Sequence, residues 1–438
     1  MPETAFTPMS ATHLLRGVIL GALTPLAVLA AAPVSLKFSF DSAAKGEAQF
    51  VAAGDLYSKE RGFGFEPGLE LKPVRGGVMG SPAFYFTTDL PEGNWRVKVT
   101  LCGAPGGGVA AVKAELRRLM LGPVQLAENK KLEQTFIVNT RSHHIAAQNG
   151  VAAGVVKLKA PRETTQEAWA WDDRLTLEVD GAVLAAVEIM PARVPTVFLL
   201  GDSTVCDQSR EPYNSWGQML PRFFKPTVAV ANHGESGETY RDSIGRRRLD
   251  KVISVMQPGD YLFMQFGHND QKQIVAGTGG PFTTYEEEMK THIAAVRRVG
   301  GIPVVLSPME RRGFDAAGKV VPSLADYARA ARETAAAEHV AFIDLNAMSQ
   351  PLYEALGPEL SAQAFAALGG NVDNTHHNNY GSYELARCVA RGIVDVKLPL
   401  AAELVREFRK YDPAKPDDLK TFAVPPSPNF TNLRPLGD

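Results

Sequence analysis

Hydrophobic and polar residues alternate with two different periods in the two halves of the chain. Between Ser35 and about Arg193 the period is two. Val34, Leu36, Phe38 and Phe40 alternate with Ser35, Lys37 and Ser39, which predicts a strand with one buried face. Segments 83–87, 95–101, 134–138 and 175–179 read the same way. Turn signals separate them: Pro91-Glu92-Gly93-Asn94, a Gly-rich run at 103–108, and Asp180-Gly181. Short strands punctuated in this manner predict a β-sandwich over 33–193. The run Gly103-Ala104-Pro105-Gly106-Gly107-Gly108 lacks fingerprint spacing and a following strand–helix pattern. It is a loop rather than a phosphate cradle.

From Val194 the texture changes. Apolar runs at 197–200, 228–231, 261–266, 302–306 and 340–343 do not alternate, as expected of strands buried on both faces. Amphipathic stretches lie between them. Ile244, Leu249, Val252, Ile253 and Met256 share one helical face, and 285–299 and 324–339 follow helical spacing. Strand–helix alternation predicts an α/β domain with a doubly wound parallel sheet over 194–410. A last helix over 381–395 closes it, and the Pro- and Asp-rich tail 411–438 is predicted irregular.

A length of 438 residues fits two domains, given ~150 residues per domain. Net charge is -2, and no basic stripe suggests a nucleic-acid partner. Near the N-terminus, Arg16 precedes an apolar stretch at 17–32, broken by Thr24 and Pro25 and ending in Ala30-Ala31-Ala32-Pro33. A basic flank, a short apolar run and small residues predict a secretory signal peptide over 1–32. The stretch is shorter than the ~20 residues of a comfortable membrane span. The expectation is a secreted or periplasmic protein with no stable membrane association after cleavage. The alternative is a retained anchor helix, given the single Arg and the acidic Glu3. Cys102, Cys206 and Cys388 are odd in number, so free thiols or one bridge remain open. There is no H-E-x-x-H or C-x-x-C, and His143-His144 fall in a predicted loop. No metal and no cofactor are expected.

Ligands of an open parallel sheet bind beyond the carboxyl ends of its strands. Here the first strand runs into Gly201-Asp202-Ser203-Thr204, and the second into Asn232-His233-Gly234-Glu235-Ser236-Gly237. The third runs into Gly267-His268-Asn269-Asp270, and the fourth into Ser307-Pro308-Met309-Glu310-Arg311-Arg312. Asp373-Asn374-Thr375-His376 lies just before the last helix. The unusual polar residues therefore gather on one sheet edge. A serine hydroxyl is a weak nucleophile without a base. His376 is the candidate base, and Asp373, three residues earlier in a turn, reaches its other nitrogen. His377 is the rival, but the offset from Asp373 favours His376 and leaves His377 a supporting or solvent residue. Oxyanion donors are the N–H groups of Ser203 and Gly237 and the Asn269 amide. Plainer roles compete: Asn269 as a helix cap and Asp202 as a turn former. Ser236 lacks the G-x-S-x-G spacing of a rival nucleophile.

Taken together, Gly201-Asp202-Ser203, the glycine after the second strand, Gly267-His268-Asn269-Asp270 and Asp373-Asn374-Thr375-His376 resemble the SGNH (GDSL-type) hydrolases over about 196–396. Gly267–Asp270 with Asp373–Gly381 is similar to the rhamnogalacturonan acetylesterase branch. Tyr57–Gly62 and Trp171–Leu177 resemble the sandwich that precedes the esterase in some bacterial members. The resemblance implies a three-layer, flavodoxin-like hydrolase domain behind a galactose-binding-like sandwich. It implies Ser203 as nucleophile, Gly237 and Asn269 in the oxyanion hole, and Asp373 and His376 completing a triad. Gly234 is an alternative to Gly237.

Arg311 and Arg312 sit on the same edge, where a guanidinium would bind the carboxylates of a uronate polymer. The competing reading is a salt bridge to Glu310 or Asp315. Trp216 is a candidate to stack on a sugar ring, although a tryptophan packing its own helix is the commoner case. Trp95, Trp169 and Trp171 are read as core. The expected function is a secreted serine esterase that removes acetyl groups from a plant cell-wall polysaccharide or oligosaccharide, foremost pectic rhamnogalacturonan. The alternatives are an esterase or lipase acting on other acyl esters, and a non-catalytic carbohydrate-binding protein.

Overall fold

Period-two alternation buries one side of each N-terminal strand. Val97, Val99 and Leu101 are fully buried, while Arg96 and Lys98 on the alternate positions are partly exposed. Two sheets form in this way in the computed structural model, which describes residues 1, 35–429 and 431. One has the strand order Lys131–Thr140, Gly93–Gly103, Ala182–Pro191, Leu36–Ser39, Gln49–Phe50, with the hairpin Leu71–Val74/Gly77–Gly80 joined to Ala182–Pro191. The other has the order Phe63–Phe65, Ala83–Asp89, Arg174–Asp180, Gly108–Ala114, Arg118–Leu126. Their inward side chains make one core, in which the Phe38 and Phe40 rings each meet Phe86 edge-on at 5.0 Å. The proposed signal peptide lies outside the described residues.

The second half builds a five-stranded sheet, all parallel, in the order Ala229–Asn232, Thr196–Gly201, Tyr261–Gln265, Ile302–Leu306, Ala341–Ile343. The first strand in sequence lies between the second and third, so the winding reverses there. That switch point is where a parallel sheet opens a crevice at its carboxyl edge. All strands but the edge strand Ala341–Ile343 bury both faces. Val197 and Leu199 pack with Trp216 and with Leu385 and Val389 of the helix Asn379–Asp395. Phe198 and Leu200 pack against the helices Arg248–Val255, Glu286–Arg298 and Ala325–Ala337 on the other side.

Two features depart from the sequence expectation. Asp373 and His376 do not lie in a turn; they lie in the strand Asn371–His377, hairpin-paired with Phe365–Leu368. Their polar composition, Asn371 to His377, gives no strand pattern, and partner pairing makes the strand. The helix Leu345–Leu360 was also not legible, because Pro351 and Gly357 interrupt its periodicity. From Tyr411 the chain has no regular structure up to Asn429, as predicted, but it is anchored to the fold. Ser427 is fully buried, its hydroxyl donating to Glu178 at 2.8 Å.

The two halves interlock through ion pairs, two of them fully buried. Arg118 pairs with Asp207 at 3.3 Å, Arg248 with Glu163 at 2.6 Å, and Lys251 with Glu92 at 2.6 Å. All three cysteines are free. Among the described residues, no helix is long and apolar enough to cross a membrane.

Candidate active site

Gly201 ends the first parallel strand where no side chain fits: a Cβ would meet Gln265 O at 2.5 Å. The tight turn after it is closed by Asp202, whose Oδ1 accepts from the Thr204 N–H at 2.9 Å and the Thr204 hydroxyl at 2.7 Å. Asp202 Oδ2 lies 3.3 Å from His268 Nδ1 on the neighbouring strand end. Burial works to raise this carboxyl, but the His268 and Thr204 contacts outweigh it and hold it below the ordinary range. Asp202 is therefore more than a turn former; it ties two strand ends together.

The turn aims Ser203 at the hairpin strand. Ser203 Oγ is 2.8 Å from His376 Nε2, and His376 Nδ1 is 3.1 Å from Asp373 Oδ2. The other Asp373 oxygen accepts the N–H of Thr375 at 2.8 Å and of His376 at 3.0 Å. An ionised carboxylate only accepts, so Nδ1 carries the proton and Nε2 is left to accept from the serine. Burial raises the Asp373 carboxyl, yet the His376 hydrogen bond and charge, with the two N–H groups, drive it far below the usual carboxylate value. All three side chains are buried.

The candidate oxyanion donors separate cleanly. The Gly234 N–H already donates to Asn232 Oδ1 at 3.2 Å. Gly237 has φ +73°, a conformation that favours glycine. It lines a cleft of about 730 Å³ together with Asn269. Asn269 gives one amide hydrogen to Glu238 O at 3.2 Å, and its second hydrogen can face a substrate. Asn269 is thus no helix cap. Asp270 is a scaffold group: it accepts the N–H of Gly267 at 3.0 Å and of Tyr240 at 3.3 Å, and burial pushes its carboxyl well up.

Other candidates are placed differently. Trp216 is fully buried, and its Nε1–H donates to Gln265 Oε1 at 2.7 Å. It is a core residue and cannot stack on a sugar. Arg311 and Arg312 make no salt bridge with Glu310 or Asp315. Arg311 donates to Thr375 Oγ1 at 3.2 Å, Gln271 Oε1 at 2.8 Å and His268 O at 3.2 Å, bracing three loops of the site. Arg312 donates to Ser361 Oγ at 3.1 Å and Pro358 O at 2.6 Å, so its guanidinium is engaged within the fold. His377 is not a solvent residue. It is buried against Tyr353, 2.8 Å from the phenol oxygen, and burial first, then the charge of His376, lowers it to about 3. Ser236 is fully buried, 3.4 Å from Gln208 Nε2.

Several supporting residues carry no local sequence signal. Gln208 donates to the Ser203 carbonyl at 2.7 Å. Arg162, from the N-terminal half, donates to Gln208 Oε1 at 3.2 Å and Glu235 Oε1 at 3.0 Å. Only the folded chain brings these side chains together. No group of three or more potential metal ligands occurs among the described residues.

Residues 199–381 match the GDSL-like Lipase/Acylhydrolase family. The chain is 37% identical over 227 residues to the rhamnogalacturonan acetylesterase RhgT of Bacillus subtilis (strain 168), covering 49% of this chain and 97% of that protein. It is 27% identical over 382 residues to the uncharacterized esterase YxiM of the same organism, covering 82% of this chain and 91% of that one. The crystal structure of YxiM aligns at TM-score 0.45 and 23% identity, covering 84% of this chain and 99% of that one. This chain belongs to the GDSL-like lipase/acylhydrolase family and has the SGNH hydrolase fold. It is a carboxylic ester hydrolase.

Proposed function

We propose that the protein is an exported serine carbohydrate esterase that removes acetyl groups from a plant cell-wall polysaccharide, with pectic rhamnogalacturonan as the foremost substrate. The observation that carries this reading is the continuous hydrogen-bonded series Ser203–His376–Asp373, at 2.8 and 3.1 Å. The Ser203 hydroxyl attacks the acetyl carbonyl while its proton passes to His376 Nε2. Asp373 stabilises the imidazolium so formed. The developing oxyanion accepts from the N–H groups of Ser203 and Gly237 and from the Asn269 amide, each such donor being worth about 3 kcal/mol of barrier. The imidazolium returns its proton to the departing sugar oxygen. Water activated by His376 then hydrolyses the acetyl-serine, releasing acetate. A three-layer, doubly wound hydrolase domain behind a sandwich domain holds this arrangement, consistent with a separate core on each face of the parallel sheet.

The cleft beside Gly237 and Asn269 favours a sugar chain over a lipid. Lys159, Arg241, Arg246 and Lys272 line it with Asp242, and Glu238 and Glu288 pair with Lys159, Arg246 and Arg241. Such a polar, ion-paired wall suits the hydroxyl and carboxylate groups of a sugar chain and would desolvate badly against an aliphatic one. The named activity of the relative that is 37% identical supports the same substrate class. The basic and apolar N-terminal stretch supports export. The test is acetate release by the wild type beside Ser203→Ala, on acetylated rhamnogalacturonan, acetylated xylan and p-nitrophenyl acetate. Release from the pectic polymer that vanishes in the variant is expected. Turnover of the aryl ester alone would remove the polysaccharide assignment, and full activity in the variant would remove the serine mechanism.

A further inference from the structure

Lys159 belongs to the N-terminal half, between the short strand Gly154–Val155 and the helical turn Arg162–Gln166. Its backbone is fixed. The Lys159 N–H donates to Glu163 Oε2 at 2.7 Å, and the Lys159 carbonyl accepts from the Glu163 N–H at 2.8 Å. Glu163 is itself held by Arg248 at 2.6 Å and Trp171 Nε1 at 3.1 Å. From this anchor the Lys159 ammonium crosses to the catalytic half. It donates to the Ser236 carbonyl at 2.5 Å and pairs with Glu238 Oε1 at 2.8 Å. Its side chain is only 12% exposed.

The Ser236 carbonyl and the Gly237 N–H belong to one planar peptide unit. In a trans peptide they point to opposite sides of the chain. A cation holding the carbonyl therefore sets the direction of the N–H. It also withdraws electron density from the carbonyl oxygen, which strengthens the N–H as a donor. This peptide is the central unit of a turn closed by the Glu238 N–H to the Glu235 carbonyl at 3.3 Å, and with glycine at 237, φ +73°, that bond alone does not fix which way the plane faces. Glu238 does not need Lys159 as a counter-ion, because Arg246 at 3.3 Å and Arg248 at 3.5 Å already face it.

We propose that Lys159 is a positioning residue of the oxyanion hole: by holding the Ser236 carbonyl it aims the Gly237 N–H at the reacting oxygen. The N-terminal half thereby completes the catalytic machinery of the other half. This rests on the proposed role of Gly237 as an oxyanion donor.

The test uses the full chain and p-nitrophenyl acetate, a small neutral ester that cannot draw on the charged cleft wall. Lys159→Met should lower kcat by ~10- to 100-fold with KM changed by less than ~2-fold, as loss of a contact made in the transition state requires. The Ki of phenylboronic acid, which forms a tetrahedral adduct on Ser203, should rise by a similar factor. Lys159→Arg, which keeps a cationic donor, should recover most of both. A kcat within ~2-fold of wild type, a rise in KM alone, or a kcat loss without a change in boronate Ki would overturn the proposal. If Lys159→Met does not fold, Lys159→Gln is measured in the same way, and an unchanged kcat there overturns it equally. Ser203→Ala separates the two levels. Turnover in that variant would sink the serine mechanism itself, whereas a dead Ser203→Ala beside a fully active Lys159→Met removes only the role of Lys159.

Discussion

Arg117 donates to the carbonyl of Tyr213 at 2.7 Å, and the Tyr213 ring stands edge-on to His376 with centroids 5.7 Å apart. Arg117 sits in the turn between the strands Gly108–Ala114 and Arg118–Leu126, with φ +61°. The same guanidinium pairs with Glu211 at 2.5 Å and donates to Gln208 O at 3.1 Å and Asn379 Oδ1 at 3.2 Å. A turn of the N-terminal sheet therefore forms part of the floor under His376, the proposed catalytic base.

Arg117→Met should be costly for that reason. Arg117 and Glu211 are each 4% exposed, and removing one member of a buried pair costs ~3–5 kcal/mol because the other is left uncompensated. Urea unfolding should show that loss, together with lower kcat on a small aryl ester under conditions where the variant is still folded. A variant as stable and as active as wild type would mean that the hairpin does not support the site.

Asp373→Asn addresses the tautomer. The carboxylate forces the Nδ1 proton of His376 to face it, whereas an amide can present its NH₂ and reverse the ring's donor and acceptor roles. A loss of ~10⁴-fold in kcat with intact folding is expected from the analogous change in serine proteases. Single-turnover acetate release from Ser203 measures it, and a loss below ~10-fold would show that His376 keeps its orientation without Asp373.

The side chains of the proposed triad could be picked out in the sequence because each stands at a strand end or in a short motif. Ser203 follows an unbroken apolar run, and the three-residue offset of Asp373 and His376 is local. What holds them is not local. Lys159, Arg162 and Arg117 reach the site from a stretch whose pattern announces only strands and loops, and pairing over 73 to 96 residues leaves no periodic trace. Trp216 shows the converse. Its position soon after Ser203 invited a sugar-stacking role, but closeness in sequence does not determine which face of a helix carries a residue. The hairpin strand that carries His376 was hidden for a similar reason, since a polar segment becomes a strand only through its partner.

Trp216 should matter for stability and not for substrate affinity. Its indole N–H holds Gln265, whose amide donates to Thr204 Oγ1 at 2.9 Å, and Thr204 in turn holds Asp202. Trp216→Phe removes the donor and leaves Gln265 Oε1 buried without it, a loss of ~1–3 kcal/mol. Denaturant titration should show this, while KM on an acetylated oligosaccharide stays within ~2-fold of wild type. A large rise in KM with unchanged stability would restore the sugar-binding role.

His292 gives the fold a specific sensitivity to acid. It is fully buried in the helix Glu286–Arg298, with Nδ1 2.7 Å from the Glu288 carbonyl and Nε2 3.1 Å from Ser243 Oγ. The carbonyl can only accept, so Nδ1 is the protonated nitrogen and Nε2 accepts from the serine. Burial disfavours the charged ring and lowers it to about 4, with the Glu288 carbonyl opposing in part. In the unfolded chain the ring takes up its proton near pH ~6.5. Between these values the unfolded state binds more protons, so stability falls as pH falls. The contribution is intact above pH ~6.5 and is lost progressively toward pH ~4, at up to ~1.4 kcal/mol per pH unit. Comparing wild type with His292→Gln by urea unfolding from pH 7.5 down to pH 4.5 isolates it from His233 and His377, which are also held neutral by burial. The stability advantage of the wild type should shrink steadily as the pH is lowered. An advantage that stays constant across this range would mean that His292 titrates alike in the folded and unfolded chains.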